Sequence, residues 1–157
     1  MIRRQINYVF SAAVSIFIVT AVLLAACASH TGEELVQATK KGDTETVKRL
    51  LEAGVDVNTE DSKHHSSVLM WAAHEGHTDI MDLLIQNGAS VDIRKPSGET
   101  ALWFAAQKGH LEALKILAHH GADVNVIGWE GTTALEVARK NGHQEIIDYL
   151  REVGADG

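Results

Sequence analysis

The sequence repeats itself with a period of 33 residues, and this periodicity constrains the fold more than any other feature of the chain. Two marks share the period, a Gly-His pair and, twelve residues later, a Gly-Ala pair. They fall at Gly76-His77, Gly109-His110 and Gly142-His143, and at Gly88-Ala89, Gly121-Ala122 and Gly154-Ala155. An earlier copy at Gly42 and Gly54 is offset by 34, which predicts one extra residue between Asp61 and Ser66. Repetition at this length predicts a stack of similar units, each packed on its neighbours.

Each unit carries the pattern of two helices. Ala101, Leu102, Ala105 and Ala106 recur at helical spacing before Gly109, and a second apolar series follows that glycine. A glycine at this point can adopt the left-handed conformation that ends a helix. In the last three units an acidic residue falls in the first turn of the second helix, where negative charge suits the positive end of the helix dipole. These residues are Asp79, Glu112 and Glu145.

The repeated pattern resembles the ankyrin repeat. Residues 98–106 read Gly-Glu-Thr-Ala-Leu-Trp-Phe-Ala-Ala, similar to the family opening Gly-x-Thr-Pro-Leu-His-x-Ala-Ala, and residues 121–125 read Gly-Ala-Asp-Val-Asn, as in the family close. The resemblance implies an all-α ankyrin-repeat solenoid of about four helix-turn-helix units joined by β-hairpin-like loops. The units would span 31–63, 64–96, 97–129 and 130–157. The family proline and histidine are replaced, the histidine by Met70, Trp103 and Glu136, so apolar packing should substitute between units.

The first thirty residues have the layout of a secretory signal peptide. Arg3 and Arg4 precede a stretch from Val9 to Ala26 that holds nothing more polar than Ser and Thr. The stretch ends in Leu24-Ala25-Ala26-Cys27, which resembles the bacterial lipobox. We therefore expect a signal peptide over 1–27, a short linker over 28–30 and lipidation of Cys27.

Because an Asp is absent after Cys27, the resemblance implies a periplasmic domain that is lipid-anchored to the outer membrane. Two alternatives stay open. Ordinary cleavage at Ala28 would release a soluble periplasmic or secreted protein, and an uncleaved signal would leave a membrane anchor. Cys27 is the single cysteine of the chain, so no intramolecular disulfide can form.

Charge and motifs argue against several functions. The chain carries a net charge of −7. Arg3 and Arg4 are the only charged residues of the first thirty, so twelve basic and twenty-one acidic residues remain, a net charge of −9. An acidic balance argues against nucleic acid as a partner. A nucleophile elbow, a phosphate-binding glycine loop and a dinucleotide fingerprint are all missing from the sequence, so we expect neither an enzyme nor a cofactor.

Nine histidines raise the question of a metal site. His77, His110 and His143 lie one unit apart, too far to share a zinc ion, and match the turn histidine of the ankyrin family. We therefore expect no metal site. A histidine-dependent metal-binding accessory protein, with a site near His64, His65 and His74, stays as an alternative of another functional class.

Recognition of another protein is the predicted function. In the ankyrin family, partners contact the hairpin tips and the exposed, concave face of the first helices. The tip positions are Arg94, Pro96, Ser97, Glu99, Ile127, Trp129, Glu130 and Thr132, and the helix positions are His74, Glu75, Gln107, Lys108, Lys140 and Asn141. We expect a monomeric interaction module of the bacterial cell envelope. An inhibitor or immunity-type factor that masks an envelope or toxin protein is the alternative within this class.

Four aromatic residues bear on this surface. Trp71 and Phe104 stand where the family has a buried leucine, so we predict that both lie in the core. Trp103 replaces the family histidine, and Trp129 stands at a hairpin tip. The sequence leaves open whether these two tryptophans are buried or available to a partner.

Overall fold

A computed structural model describes residues 31–155 and shows eight α-helices within that range. Residues 31–41 are helical (α1). The other helices are α2 Thr44–Glu52, α3 Val68–Glu75, α4 Thr78–Gln86, α5 Ala101–Lys108, α6 Leu111–His119, α7 Ala134–Asn141 and α8 Gln144–Glu152. They form four consecutive pairs, as the period predicted.

The pairs stack into two layers. Helix α5 packs between α3 and α7 in the first layer, and α4 and α6 pack between α2 and α8 in the second. We call the surface made by α1, α3, α5, α7 and the loops before α3, α5 and α7 the inner face. The surface made by α2, α4, α6, α8 and the turns around them is the outer face. The arrangement confirms the all-α repeat fold predicted from the sequence.

Local signals in the sequence set the helix ends. Ser67, Thr100 and Thr133 precede α3, α5 and α7, and each side-chain oxygen accepts a hydrogen bond from the backbone N–H three residues later. Such capping satisfies a donor that the helix itself cannot pair. Glu136 completes a capping box with Thr133. The glycine that follows each of these helices is left-handed, as predicted.

The loops between units are hairpin-like, without an extended strand in residues 31–155. Two isolated antiparallel bridges join Glu60 to Ser67 and Ile127 to Thr133. A backbone hydrogen bond closes each loop, over residues 61–66, 95–99 and 128–132. The first closure spans one residue more than the other two, so the predicted extra residue between Asp61 and Ser66 is confirmed.

The core is built from the repeated alanines and leucines. Leu69, Leu102 and Leu135 occupy equivalent places and are buried, with alanines beside them on the same helices. Met70 and Trp103, which replace the family histidine, are also buried. Apolar packing therefore does connect the middle units, as predicted.

A histidine at the start of each second helix links its unit to the preceding one. The Nε2 atoms of His77, His110 and His143 lie 3.4, 3.1 and 3.1 Å from backbone carbonyl oxygens near the end of the previous first helix. Each ring also lies against the glycine that ends that helix. A Cβ on Gly76 would come within 2.7 Å of the His110 ring, so only glycine allows this approach.

The predicted signal peptide, Cys27 and the linker over 28–30 lie outside the described residues, as do residues 156–157. Within residues 31–155, no helix combines the length and the apolar character needed to cross a lipid bilayer.

Candidate binding surface

The inner face contains a cleft of about 200 Å³ between the third and fourth units. Helix α5 forms one side, helix α7 the other, and the loop before α7 closes the end. The lining residues are Trp103, Gln107, Trp129, Glu130, Thr132, Val137, Lys140 and Asn141. Six of these were predicted as partner contacts from the sequence. The structure brings those six together around one cavity.

Close packing of the loop against Trp103 shapes the cleft. A Cβ on Gly128 would lie 2.8 Å from Trp103 Cδ1, so a side chain at this position would push the loop away. The indole Nε1 of Trp103 lies 3.4 Å from Thr132 Oγ1, which in turn donates to the Trp129 carbonyl oxygen at 2.6 Å. Trp103 is 4% exposed, so it is a wall of the cleft and part of the core.

The tip of the same loop presents two large apolar side chains to solvent. Residues Trp129–Gly131 form a short 3-10 turn in which Glu130 has a left-handed backbone, with φ of 55°. Trp129 is 52% exposed and Ile127 is 57% exposed. Both are therefore available to a partner. Tryptophan is enriched among the residues that contribute most to protein–protein binding.

Four other predicted contacts lie in the loop before α5, where three are exposed and one is buried. Arg94, Pro96 and Ser97 are exposed at the tip of the loop before α5. Glu99 is 5% exposed, and its carboxylate accepts a hydrogen bond from the Ser97 hydroxyl. The prediction of Glu99 as a partner contact is therefore wrong. The family pattern located the loop correctly, but the tight turn at Gly98 directs the next side chain inward.

Helix α3 and helix α5 supply the remaining predicted contacts. Glu75 and Lys108 are exposed, and His74 and Gln107 are half-buried. The Nδ1 atom of His74 lies 2.8 Å from a Glu75 carboxylate oxygen, so these two side chains partner each other. Gln107 lines the cleft, whereas His74, Glu75 and Lys108 are not among its lining residues.

A row of aromatic rings crosses the inner face, and the sequence did not predict it. Successive rings meet edge to face, with centroids 5.4–5.8 Å apart. The row runs His64, Trp71, His74, Phe104, Trp103. The prediction that Trp71 and Phe104 lie in the core is correct only in part, because both pack against the core but are partly exposed.

The first loop is held by a buried carboxylate. Asp61, 4% exposed, accepts hydrogen bonds from Lys40 Nζ at 3.2 Å and from Trp71 Nε1 at 2.9 Å. The His64 side chain and backbone N–H also donate to it. Burial would raise the pKa of Asp61, but the hydrogen bonds from His64 and Lys40 outweigh it and hold that pKa well below its usual value of 3.8. Lys40 also lies 3.7 Å above the Trp71 ring.

The same contacts bear on the metal alternative. The Nδ1 atom of His64 is engaged by Asp61 and that of His74 by Glu75. In residues 31–155 no three His, Cys, Asp or Glu side chains converge as metal ligands would. Nothing in the described chain therefore supports a site at His64, His65 and His74.

Comparison with known proteins places the repeats in a family. A family profile described as ankyrin repeats in three copies matches residues 35–128 and 88–157. The chain is 36% identical over 67 residues to Ankyrin repeat domain-containing protein 40 of Mus musculus, covering 43% of this chain and 18% of that protein. It is 40% identical over 79 residues to E3 ubiquitin-protein ligase XBAT33 of Arabidopsis thaliana, covering 47% and 15%. It is 41% identical over 76 residues to E3 ubiquitin-protein ligase hecd-1 of Caenorhabditis elegans, covering 48% and 3%.

These relatives are much longer than the matched segment. The chain spans less than a fifth of each of the three. The similarity therefore concerns the repeats that they share, and the ligase activity named for two of them belongs to those proteins as wholes.

Proposed function

The chain belongs to the ankyrin-repeat family, and we propose that it is a non-enzymatic module that binds a protein partner in the bacterial cell envelope. Ankyrin repeats are protein-interaction modules, and a rigid stack of helices provides a fixed surface for one partner. The partner would contact the inner face at the third and fourth units. The cleft between α5 and α7 and the exposed tip beside it would form the centre of the contact.

Exposure of Trp129 and Ile127 beside the cleft is the observation that carries this proposal. Each side chain costs free energy while it stays in water, at roughly 25 cal/mol for each Å² of apolar surface. The Trp129 ring makes no ring–ring contact within residues 31–155. The cleft is smaller than the roughly 300–1,000 Å³ of sites that hold small molecules, so it fits a single side chain of a partner better than a cofactor.

The envelope location rests on the first thirty residues. A basic start, an apolar stretch and Leu-Ala-Ala-Cys at its end support export and lipidation of Cys27. Two or more acyl chains on that cysteine would give stable anchoring, since each buried methylene contributes about 0.8 kcal/mol. The proposed arrangement is an outer-membrane anchor with the repeats in the periplasm.

Affinity capture tests the interaction. The full-length protein, tagged at the C-terminus, would be crosslinked in the cells that produce it, purified from envelope fractions and analysed by mass spectrometry. We expect one dominant partner, lost from the Ile127→Ser/Trp129→Ser variant. The matched control is Val153→Ser, which removes an exposed apolar side chain from the outer face and should keep the partner. Failure to capture any specific partner would contradict the proposed function.

Metabolic labelling tests the anchor. An alkyne analogue of palmitate should label the wild-type protein, and Cys27→Ser should remove the label. A wild-type protein that is unlabelled and soluble would contradict lipidation. That result would leave the interaction module in place and favour ordinary cleavage at Ala28.

A further inference from the structure

The charges of the repeats are segregated between the two faces. The inner-face ranges 31–41, 60–75, 94–108 and 127–141 hold eight acidic and eight basic residues. The outer-face ranges 42–59, 76–93, 109–126 and 142–155 hold twelve acidic and four basic residues. The whole net charge of the described chain, −8, therefore lies on the outer face. The inner face, which would meet a partner, therefore has no net charge although the chain as a whole is acidic.

Within the second to fourth units, the cations of the inner face are free of ion pairs. Five basic side chains lie there, and none forms an ion pair within residues 31–155. Four of the five are exposed, and the fifth, Lys95, is half-buried with its ammonium 5.4 Å from the centre of the Phe104 ring. The five are Arg94, Lys95, Lys108, Arg139 and Lys140.

The carboxylates of the same region are mostly engaged within the chain. Glu75 partners His74, and Glu99 is buried against Ser97. Glu136 accepts the backbone N–H of Thr133 at 2.7 Å as part of the capping box. Only Glu130, at the edge of the cleft, lacks such a partner among the described residues. Glu75, Glu130 and Glu136 are exposed and Glu99 is buried, so five cations outnumber three exposed carboxylates on this part of the inner face.

We propose that the partner presents an acidic, extended polypeptide segment to the inner face. Its carboxylates pair with these five free cations, and one apolar or aromatic side chain enters the cleft between Trp103 and Trp129. This inference rests on the proposed protein-binding function and specifies the chemistry of the partner. Complementary charge sets the orientation and rate of association, while the buried side chain supplies most of the affinity.

The net charge favours a polypeptide over a larger polyanion. Nucleic acid and anionic membranes carry dense negative charge over a large area, and the described chain, with a net charge of −8, disfavours their approach. A short acidic peptide segment carries few charges, so this repulsion is weaker for it.

Selection from a random peptide phage library tests the inference. The probe is the immobilised full-length protein, purified in mild detergent. We expect enriched peptides to carry net negative charge together with at least one large apolar residue. Enrichment of neutral or basic peptides, or of none, would overturn the inference. Equal retention of heparin or single-stranded DNA would overturn the choice of a polypeptide.

A charge-reversal pair locates the contact. Lys108→Glu/Lys140→Glu reverses two free cations of the inner face, and Lys48→Glu/Arg151→Glu makes the same charge change on the outer face. We expect the first variant to bind a selected acidic peptide about tenfold more weakly or worse, and the second to bind it as the wild type does. Equal losses in both variants would overturn the inference. The affinity capture described above tests the proposed protein-binding function separately. A captured partner that lacks an acidic segment would contradict the inference about acidic segments and leave the protein-binding function in place.

Discussion

The imidazole of His110 donates a hydrogen bond from Nε2 to the backbone carbonyl oxygen of His74, 3.1 Å away in the preceding unit. The same ring lies against Gly76, which ends helix α3 with φ of 75°. The equivalent contacts of His77 and His143 repeat this link along the stack. The Gly-His period that identified the repeat in the sequence is thus the period of one physical contact between units.

Gly76→Ala should destabilise the protein more than Gly142→Ala. Both glycines are left-handed, with φ of 75° and 76°, so the backbone strain of about 1–2 kcal/mol is common to both. A Cβ on Gly76 would also meet the His110 ring at 2.7 Å, whereas one on Gly142 would have no neighbour within 4 Å. Urea denaturation followed by circular dichroism would measure the difference.

A double-mutant cycle separates the two causes. In a His110→Ala background, which is itself expected to lose about 1 kcal/mol with the hydrogen bond, the cost of Gly76→Ala should fall to that of Gly142→Ala. An unchanged cost would mean that the ring contact does not determine the need for glycine.

The charged state of Asp61 should make stability depend on pH. Its pKa is lower in the folded than in the unfolded protein, because His64 and Lys40 donate to the carboxylate. The ionised group therefore stabilises the fold above about pH 4, and this contribution is lost as the pH falls through the folded-state pKa. Asp61→Asn should cost about 1–3 kcal/mol at pH 7.

The Asp61→Asn variant also tests the direction in which stability should change with pH. The difference in unfolding free energy between wild type and Asp61→Asn should shrink as the pH is lowered below about 4. A difference that stays constant from pH 7 to pH 3 would show that packing of the loop, and not the charge of Asp61, is responsible. The exposed Asp82 on the outer face offers a control, since Asp82→Asn should change stability little at either pH.

The two tryptophans of the cleft should respond differently to truncation. Trp103→Ala removes a buried ring and should cost about 3–5 kcal/mol of stability. Trp129→Ala should change stability by no more than about 0.5 kcal/mol, because more than half of the side chain is exposed, while weakening partner binding. Equal thermal shifts for the two variants would contradict the assignment of Trp129 to binding.

Periodic features were predictable from sequence, and contacts between non-equivalent positions were not. The glycine before each second helix, the apolar positions and the extra residue before Ser66 all follow from comparing units with one another. The contact of Gly128 with Trp103 occurs in one unit only, so the comparison gives no signal for it. The Asp61 cluster depends likewise on the longer first loop.

The sequence also did not predict the direction in which individual side chains point. The pattern placed Glu99 on a loop that does reach the surface, but the left-handed turn at Gly98 points its side chain inward. Trp71 and Phe104 were assigned to the core from the family position, and both pack against it while staying partly exposed. The basic residues of the inner face can be read from the sequence. The sequence does not show which of them form ion pairs, as Lys40 does with Asp61 in the folded chain.

Site-specific photocrosslinking in living cells tests the central claim, that the inner face binds a protein partner. A photoreactive amino acid would replace Lys140, which lines the cleft, or Asp148, which is exposed on the outer face of the same unit. We expect the Lys140 variant to form one discrete crosslinked species and the Asp148 variant to form none. A crosslink from position 148 alone, or from neither position, would contradict the account.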